Sequence, residues 1–355
     1  MHVVILAAAR HPLRQPFAGG LESLTWALVR GLRQRGVDVT VFAGPGSDPS
    51  LDARELTVSP LELSAVARAD VSMPPEPWLR EHHAYLQVML ELRDRTDVDV
   101  IHNNSLHFLP LALAQSCAAP MLTTLHTPPT PWLEPTIGLM DQDRSRFVAV
   151  SHHTARQWSH VTSAAVVHNG VDTSVWTPGP GGDDLVWVGR VVPEKAPHEA
   201  IRIALASGRR IRLAGPVGDA DYFRSAVEPL LGPTVGYLGH LDVPALRDLV
   251  GSSAALVVTP EWDEPYGLVA AESLACGTPV VGYRRGGLPE FVAPHCGVLV
   301  EPGDAHAAAA EVDGVCALDR RRCREHAETD CSLDAMVDAY LTHYERLTST
   351  MGRAA

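Results

Sequence analysis

Two glutamates and two cations in the second half of the chain have the types and spacing to bind a phosphorylated sugar. Glu264 and Glu272 lie eight positions apart, and two helical turns at about 1.5 Å of rise per residue would separate their carboxylates by roughly 10 to 12 Å. Each could accept hydrogen bonds from a pair of hydroxyls on a sugar joined through diphosphate to a ribose. Arg190 and Lys195, five positions apart, suit the diphosphate itself. Taken alone, such glutamates are most often solvated surface charges, and such cations are as often a structural ion pair.

The lysine is exceptional in this chain. Of the 29 basic residues 28 are arginine, and Lys195 is the single lysine. An ammonium is a compact point charge suited to phosphate, whereas a guanidinium is a planar fork. A lysine kept in the same loop as Arg190 therefore favours a binding role over coincidence.

The elements that carry these residues are predicted as strands, loops and helices in alternation. The apolar run at 254–258 predicts a strand, and residues 266–276 have the pattern of a helix that Gly277 ends. Glu264 falls in the loop between them. Because the first amides of a helix have no intrahelical partner, they would face the middle of the bound ligand. A strand beginning at residue 185 likewise brings the two cations into one loop.

The N-terminal part begins with a βαβ pattern of a strand at 2–8, a helix from residue 21 and a strand at 37–43. Gly19 and Gly20 precede the helix. A glycine pair at a helix start can admit an anion because amides point outward and no side chain blocks the approach. A tight turn is the more frequent reason for such a pair.

Polar residues end the strands that are predicted further along. An irregular excursion over 44–77 and a helix at about 78–94 precede them, and His126 ends a strand at 121–126. Ligands gather at the carboxyl ends of strands in open parallel sheets, so the polar cluster after the strand at residue 99 predicts an acceptor site. Its candidates are His102, Asn103, Asn104, Ser105 and His107.

Length and composition restrict the class of protein. A chain of 355 residues with 46% hydrophobic residues predicts two domains. No apolar run reaches the roughly 18 residues that a membrane span requires, and no basic segment precedes the first strand, so a cytoplasmic protein is expected. A formal charge of −13 argues against nucleic acid or an anionic membrane as the main partner. The arginine runs at 209–212 and 320–324 are expected to be solvated.

A metal site is not expected. The six cysteines form no Cys-x2-Cys pair and are expected to be reduced and structural. Cys316, Cys323 and Cys331 lack the spacing of a zinc site. The pair Asp97 and Asp99 precedes a buried strand instead of following one, which disfavours metal binding there.

Several of these patterns together resemble the signature of family-four retaining glycosyltransferases of the GT-B fold. Residues 264–281 read EPYGLVAAESLACGTPVV, and residues 286–290 read GGLPE. Residues 189–195 and 169–172 match two further motifs of that family, and the resemblance covers nearly the whole chain, most strongly 185–301. Departures from the pattern are Tyr266 for Phe, Glu261 for a small residue, His168 for Pro and Ala196 for Gly.

The resemblance implies an α/β architecture of two Rossmann-like doubly wound domains that face each other across a cleft. Residues 1–176 would form the acceptor-side domain, residues 177–332 the nucleotide-sugar domain, and a helix at about 333–350 would pack back on the first. The implied reaction is metal-independent transfer of a sugar from a nucleoside diphosphate, most simply UDP or GDP, to a hydroxyl of a small-molecule, glycan or lipid acceptor. The anomeric configuration would be retained, and the nucleotide sugar is a co-substrate, with no other cofactor expected.

The resemblance also implies roles for individual residues. Arg190 and Lys195 would stabilise charge on the leaving diphosphate, Glu264 would hold a hydroxyl of the donor sugar, and His126 would reach the same sugar. The nucleobase would lie near residues 237–241. Donor-binding contacts are implied for Gly19, Gly20, Gly189, Tyr266, Gly267, Leu268 and Glu272.

Two other functions remain open at this point. A disaccharide phosphorylase could use the same cleft with inorganic phosphate, and a non-catalytic protein could bind a sugar nucleotide without transfer. A nicotinamide-dependent dehydrogenase is disfavoured because neither half has Gly-x-Gly-x-x-Gly after its first strand. The donor sugar, the base, the acceptor and the oligomeric state are not determined by the sequence.

Overall fold

The computed structural model describes residues 1–57, 61–143 and 145–351, and it contains two parallel sheets. The first has seven strands in the order β3-β2-β1-β4-β5-β6-β7, and the second has six in the order β10-β9-β8-β11-β12-β13. The strands of the first sheet are β1 His2–Leu6, β2 Asp38–Ala43, β3 Arg54–Glu55, β4 Val100–Asn103, β5 Met121–Leu125, β6 Ser145–Ala149 and β7 Ala164–Val166. Those of the second are β8 Leu185–Val188, β9 Ile211–Ala214, β10 Val235–Tyr237, β11 Ala255–Val258, β12 Val280–Tyr283 and β13 Gly297–Val300.

Helices connect the strands and cover both faces of each sheet. They are α1 Gly20–Gln34, α2 Ala65–Arg68, α3 Glu76–Arg93, α4 Phe108–Leu113, α5 Leu133–Leu139, α6 His152–Trp158, α7 Pro197–Ala206, α8 Ala220–Tyr222, α9 Val243–Gly251, α10 Leu268–Ala275, α11 Ala305–Cys316, α12 Arg320–Asp330 and α13 Leu333–Met351. None of the helices in the described part of the chain is both long and apolar enough to cross a membrane. The predicted class of two doubly wound α/β units is confirmed.

Side-chain alternation along the strands divides each core into two layers. In β1, Val3 and Ile5 are fully buried against α1 and α13, whereas Val4 and Leu6 are fully buried against α3. In β8, Leu185 and Trp187 pack against α7 and α11, and the intervening Val186 packs towards α10 and α12. Since both faces of each sheet are covered, the strands are nearly continuous apolar runs.

Both sheets reverse their strand order at one place, between β1 and β4 in the first and between β8 and β11 in the second. Ligands of open α/β sheets bind beyond the carboxyl ends of the strands at such a switch point. The fold therefore directs attention to the loops that follow these four strands.

Helix α13 returns to the first sheet, as the sequence pattern predicts. Tyr340 and Tyr344 are buried in the core that α13 shares with α1 and β4. The fully buried ring of His102 lies 2.6 Å from the Tyr344 hydroxyl and 2.8 Å from Thr124 Oγ1, and burial lowers its pKa to about 3. His102 is thus a core residue, and the expectation that it lies in the acceptor site is wrong.

Two arginines that were expected to be solvated are instead part of the packing of α12. Arg320 donates to the carbonyl oxygens of Gly251 and Cys276, at 2.8 and 3.3 Å. Arg324 donates to Trp176 O at 2.5 Å and Ala275 O at 2.7 Å, and its side chain is 15% exposed. The arginines at 209, 210 and 212 remain at least partly exposed and pair with nearby aspartates.

Smaller differences concern element boundaries. The excursion over 44–77 contains β3, α2 and a 3-10 turn at Pro49–Leu51, while residues 58–60 of it lie outside the described residues. The helix predicted from residue 266 begins at Leu268, because Gly267 precedes it with a φ of +100°. The predicted boundary at 176/177 falls in the connection between β7 and β8, and Trp176 packs into the core of the second sheet.

The carboxylate of Glu290 joins the two halves on the side of α6. Glu290, in the 3-10 turn Leu288–Glu290, accepts hydrogen bonds from the backbone amides of His152 and His153 at 2.8 and 2.7 Å. His168 Nε2 lies 3.0 Å from the same carboxylate. Burial acts to raise the pKa of Glu290, but these hydrogen bonds outweigh it, and the pKa lies below its ordinary value.

We expect Glu290→Ala to lower the free energy of unfolding by about 1 to 3 kcal/mol, since two amides at the start of α6 would lose their acceptor. Urea denaturation followed by circular dichroism measures the effect. The matched control is Glu325→Ala, which removes a carboxylate from an exposed pair with Arg321 and should change stability by no more than about 0.5 kcal/mol. Equal losses in the two variants would show that Glu290 is not a junction residue.

Candidate functional site

A cavity of about 500 Å³ lies between the two sheets, beyond the carboxyl ends of the strands at both switch points. The first sheet contributes residues after β1 and β5 and the start of α1. The second contributes the loops after β8, β9, β10 and β11 and the start of α10. The cavity is therefore where the topology places a ligand.

All of the predicted catalytic and donor-binding residues line this one cavity. They come from both sheets and from loops that are distant in sequence, so their convergence is a property of the fold. These residues are Gly19, Gly20, His126, Gly189, Arg190, Lys195, Glu264, Tyr266, Gly267, Leu268 and Glu272. Their individual roles stay predictions.

The two predicted cations differ in their surroundings. Lys195 Nζ forms an ion pair with Glu264 Oε2, and its side chain is 22% exposed. Trp262 donates its indole N–H to the same oxygen at 3.2 Å, and its ring centre lies 5.2 Å from Nζ. Arg190 is exposed and has no hydrogen bond or ion pair with any residue that the structure describes. The cavity thus contains one neutralised pair and one unpaired guanidinium.

The loop that carries Lys195 has an unusual backbone. Residues Pro193–Lys195 form a 3-10 turn, and the buried Ala196 that follows has a φ of +44°. This left-handed conformation normally favours glycine, which is the residue that the family resemblance implies at this position. The loop therefore keeps the glycine-type conformation although a methyl group is present.

Two glycines fix the backbone around Glu264. Gly286 has a φ of +60°, and a Cβ on it would lie 1.9 Å from the carbonyl oxygen of Glu264. Gly287 donates its amide to that same oxygen at 2.8 Å. At Gly267 a Cβ would lie 2.5 Å from Leu288 Cδ2. Gly286 and Gly287 leave room for direct backbone contact between the 286–288 turn and the Glu264 loop. Gly267 leaves room for the Leu288 side chain of the same turn.

Glu272 is a carboxyl group without a partner. It lies on α10, lines the cavity, and makes no hydrogen bond to any described residue. Burial raises its pKa to about 7. The side chain is partly buried, and a carboxylate removed from water is costly unless it accepts hydrogen bonds, so this position is suited to a ligand that offers hydroxyl donors.

His126 is a neutral imidazole held by an asparagine. Its Nε2 lies 2.8 Å from Asn104 Oδ1, and burial lowers its pKa to about 3. Because an oxygen faces Nε2, that nitrogen carries the proton, and Nδ1 is left as an acceptor. The tautomer is inferred from this hydrogen bond. His126 can therefore accept a hydrogen bond from a hydroxyl in the cavity.

The acceptor candidates close the turn after β4 and are not among the residues that line the cavity. Asn103 Oδ1 accepts from the amide and the hydroxyl of Ser105, at 3.1 and 2.7 Å. His107 Nδ1 accepts from the amide of Leu109 at 3.1 Å and so caps α4. Asn104 orients His126. Their local bonding gives these side chains structural roles, and contact with an acceptor stays a prediction for them.

The structure also adds residues that were not singled out. Arg10, His11 and Glu22 line the cavity from the first sheet, and Trp262 lines it from the second. His240, which lies in the range 237–241 where the nucleobase is predicted, donates to Phe17 O at 3.0 Å and so connects the two sides of the cavity. Asn169, in a motif that was noted without a role, is 6% exposed, and its Oδ1 has no partner among the described residues. For Arg10 and His11 the only signal in the sequence is their place soon after β1.

Comparison with known families and proteins agrees with this fold. The family model described as Glycosyltransferase Family 4 matches residues 18–175, and that described as Glycosyl transferases group 1 matches residues 177–330. Among solved structures, Anabaena Alr3699/HepE in complex with UDP and glucose has a TM-score of 0.76 at 17% identity, covering 98% of this chain and 100% of that one. AviGT4, a glycosyltransferase involved in avilamycin A biosynthesis, has a TM-score of 0.73 at 22% identity, with 98% of both chains covered.

Curated relatives extend the similarity over nearly the full length. The D-inositol 3-phosphate glycosyltransferase of Mycolicibacterium paratuberculosis is 29% identical over 97% of this chain and 90% of its own. The enzyme of the same name from Mycolicibacterium smegmatis is 30% identical over 98% of this chain and 91% of its own. Similarity of this extent and both family matches show that the chain belongs to the glycosyltransferases of family 4, which have the GT-B fold.

Proposed function

We propose that this glycosyltransferase moves a sugar from a nucleoside-diphosphate sugar to an acceptor hydroxyl, with retention of the anomeric configuration and without a metal ion. The observation that carries the proposal is the cavity in which Arg190, Lys195, Glu264 and Glu272 converge. The cavity offers cations for a diphosphate, and it offers carboxylates for the hydroxyls of the sugar and of the ribose that flank this diphosphate. A uridine donor is supported by Alr3699/HepE, which was solved with UDP and glucose.

Catalysis in this proposal is electrostatic. Charge develops on the diphosphate as the bond to the sugar breaks, and fixed cations stabilise that charge without reorganisation. The unpaired Arg190 is free to make a bidentate contact. Lys195 has three N–H donors, so it can bind a diphosphate oxygen while it keeps its contact with Glu264.

The carboxylates and the histidine orient the donor. Glu272 accepts from the ribose hydroxyls, Glu264 from a hydroxyl of the transferred sugar, and His126 offers Nδ1 to the same sugar. The free amides at the start of α10, next to Gly267, hold further oxygens. No side chain is assigned as a nucleophile, and the leaving phosphate assists in deprotonating the acceptor on the face from which it departs.

The acceptor lies on the side of the first sheet. Arg10 and His11 line the cavity there, and Arg10 has only a long contact of 3.8 Å with Glu81. The names of the curated relatives make D-inositol 3-phosphate the first acceptor to test, because an exposed guanidinium can bind its phosphate.

The two other functions have distinct signatures. A disaccharide phosphorylase would cleave a glycoside with inorganic phosphate and without added nucleotide. A non-catalytic binding protein would bind the nucleotide and show neither transfer nor slow hydrolysis of the donor. Both are separated from the proposed reaction in one assay that follows release of nucleoside diphosphate with and without acceptor.

Thermal unfolding with millimolar UDP, GDP, ADP, dTDP or NAD, in the presence of EDTA, tests the donor class. We expect one nucleoside diphosphate to raise the unfolding temperature, since a ligand at 100 times its dissociation constant adds about 2.7 kcal/mol. Stabilisation by NAD or phosphate alone would contradict the proposal.

Removal of the lysine tests the electrostatic mechanism. We expect Lys195→Ala to lower turnover at least about tenfold, which corresponds to about 1.4 kcal/mol of transition-state stabilisation. The matched control is Arg224→Ala, which removes one positive charge from an exposed pair with Asp221 and should leave turnover unchanged. Near-normal turnover in the lysine variant would exclude this role.

The pH dependence of donor binding tests Glu272. Its pKa of about 7 in the free protein should fall when hydroxyls donate to the carboxylate, so binding releases a proton and affinity decreases as the pH falls below 7. Between pH 8 and pH 6 the dissociation constant should rise about tenfold.

The measurement uses an intact nucleotide sugar, whose diphosphate does not titrate in this range. Glu272→Gln should bind more weakly and with no pH dependence between pH 6 and pH 8. An equal slope in the variant would assign the titration to another group.

A further inference from the structure

A cluster of nitrogen and sulfur donors lies in the second half of the molecule and is not used by the proposed transfer reaction. His295 and Cys296 directly precede β13, and His326 is on α12. One donor atom from each of the three lies within 4.8 Å of the others. None of the three lines the cavity of the candidate active site.

The ring of His326 faces two acceptors. Its Nε2 lies 2.6 Å from the carbonyl oxygen of Phe291, and its Nδ1 lies 3.1 Å from Asp330 Oδ2. A neutral imidazole has one N–H and can satisfy only one of these oxygens. With the proton on Nε2, where the contact is shorter, the lone pair of Nδ1 faces a carboxylate. A metal cation bound at Nδ1 would remove this repulsion.

The contact with Phe291 is the one that a metal-bound histidine usually makes. Ligating histidines donate their other ring N–H to a carboxylate or a backbone carbonyl, which fixes the tautomer and the ring orientation. His326 is held in this way, and its side chain is 12% exposed. Its Nδ1 is thus oriented as a ligand.

The other two members of the cluster are available as ligands. His295 has no hydrogen bond to any described residue, and its ring centre lies 4.9 Å from that of His326 at an interplanar angle of 86°. Cys296 is fully buried and makes one weak contact, from Sγ to Ala293 O at 3.2 Å. Burial raises the pKa of its thiol to about 11, and a bound cation would displace that proton.

We propose that His295, Cys296 and His326 bind one zinc-type divalent cation. Two imidazoles and a thiolate are donor types that zinc accepts in tetrahedral sites, and a water molecule can occupy the fourth position. Ligand bonds of about 2.0 to 2.3 Å put the donors of such a site roughly 3.3 to 3.8 Å apart, and the three donor atoms, which lie within 4.8 Å of one another, reach that spacing by a contraction of no more than about 1.5 Å. The metal clamps the start of β13 to α12, and the site is independent of the proposed transfer reaction.

Cobalt(II) in place of zinc gives the test a direct readout. The untagged full-length protein is stripped of metal, transferred to chelator-free buffer and titrated with cobalt(II). We expect d–d bands of tetrahedral intensity and a thiolate-to-cobalt charge-transfer band, which saturate at one cobalt per chain and disappear when zinc is added. No bands with cobalt in excess would overturn the proposal and leave His326 with its contacts to Phe291 and Asp330 alone.

Two variants and a control assign the ligands. Cys296→Ser should abolish the charge-transfer band, and His295→Ala, a change at a partly exposed position, should weaken cobalt binding at least about tenfold. Cys316→Ser alters a cysteine outside the cluster and should keep the full spectrum. A charge-transfer band that persists in Cys296→Ser, or that is lost in Cys316→Ser, would contradict the assignment. Because the spectrum is recorded without nucleotide, it is independent of the outcome of the transferase assays.

Discussion

The backbone contact between the Glu264 loop and the turn at Gly286 and Gly287 is the constraint on which the site depends. The Gly287 amide donates to Glu264 O at 2.8 Å, and at Gly286 a side chain would collide with that oxygen. The contact fixes the loop that presents Glu264 to Lys195 and that begins α10. Three residues after Gly287, the same segment presents Glu290 to the amides of α6. One short turn thus sets both the geometry of the active site and the junction between the two halves.

The charged groups of the cavity suit a ligand that carries both phosphates and hydroxyls. Arg190 and Glu272 have no partner among the described residues, whereas Lys195 and Glu264 neutralise each other. A partly buried carboxyl without a partner is costly in the empty protein, and both this carboxyl and the exposed guanidinium gain partners when a molecule with phosphates and hydroxyls binds. The chain has a formal charge of −13 and a single lysine. That this lysine lies in the cavity is the feature of the sequence that most directly indicates a phosphate-binding site.

The sequence was sufficient for the fold class and for a part of the cavity lining, because the predicted residues lie in the loops that follow strands and at helix starts, whose positions follow from local patterns. Residues on strand β4 show what local patterns do not predict, namely which face of the sheet a side chain occupies. His102 and Asn103 are adjacent, but alternation sends His102 to the opposite face, where its partner Tyr344 is 242 residues away in sequence. The expectation that arginines 320 and 324 are solvated failed for the same reason, since their acceptors are carbonyl oxygens contributed by distant segments. Element boundaries and acceptor contacts likewise depend on tertiary packing, which one sequence does not display.

Helix α12 stabilises the C-terminal end of α10, the end opposite the cavity. Arg324 and Arg320 donate to the carbonyl oxygens of Ala275 and Cys276 at the end of α10, and a cation at a helix C-terminus is favourable both for the free carbonyls and for the helix dipole. The start of α10 meanwhile faces the cavity, and Glu272 lies along its length. Since His326 lies on the same α12, a metal bound there would restrain the element that caps α10. The stiffness of the helix that carries Glu272 would then depend on a site that lies outside the cavity.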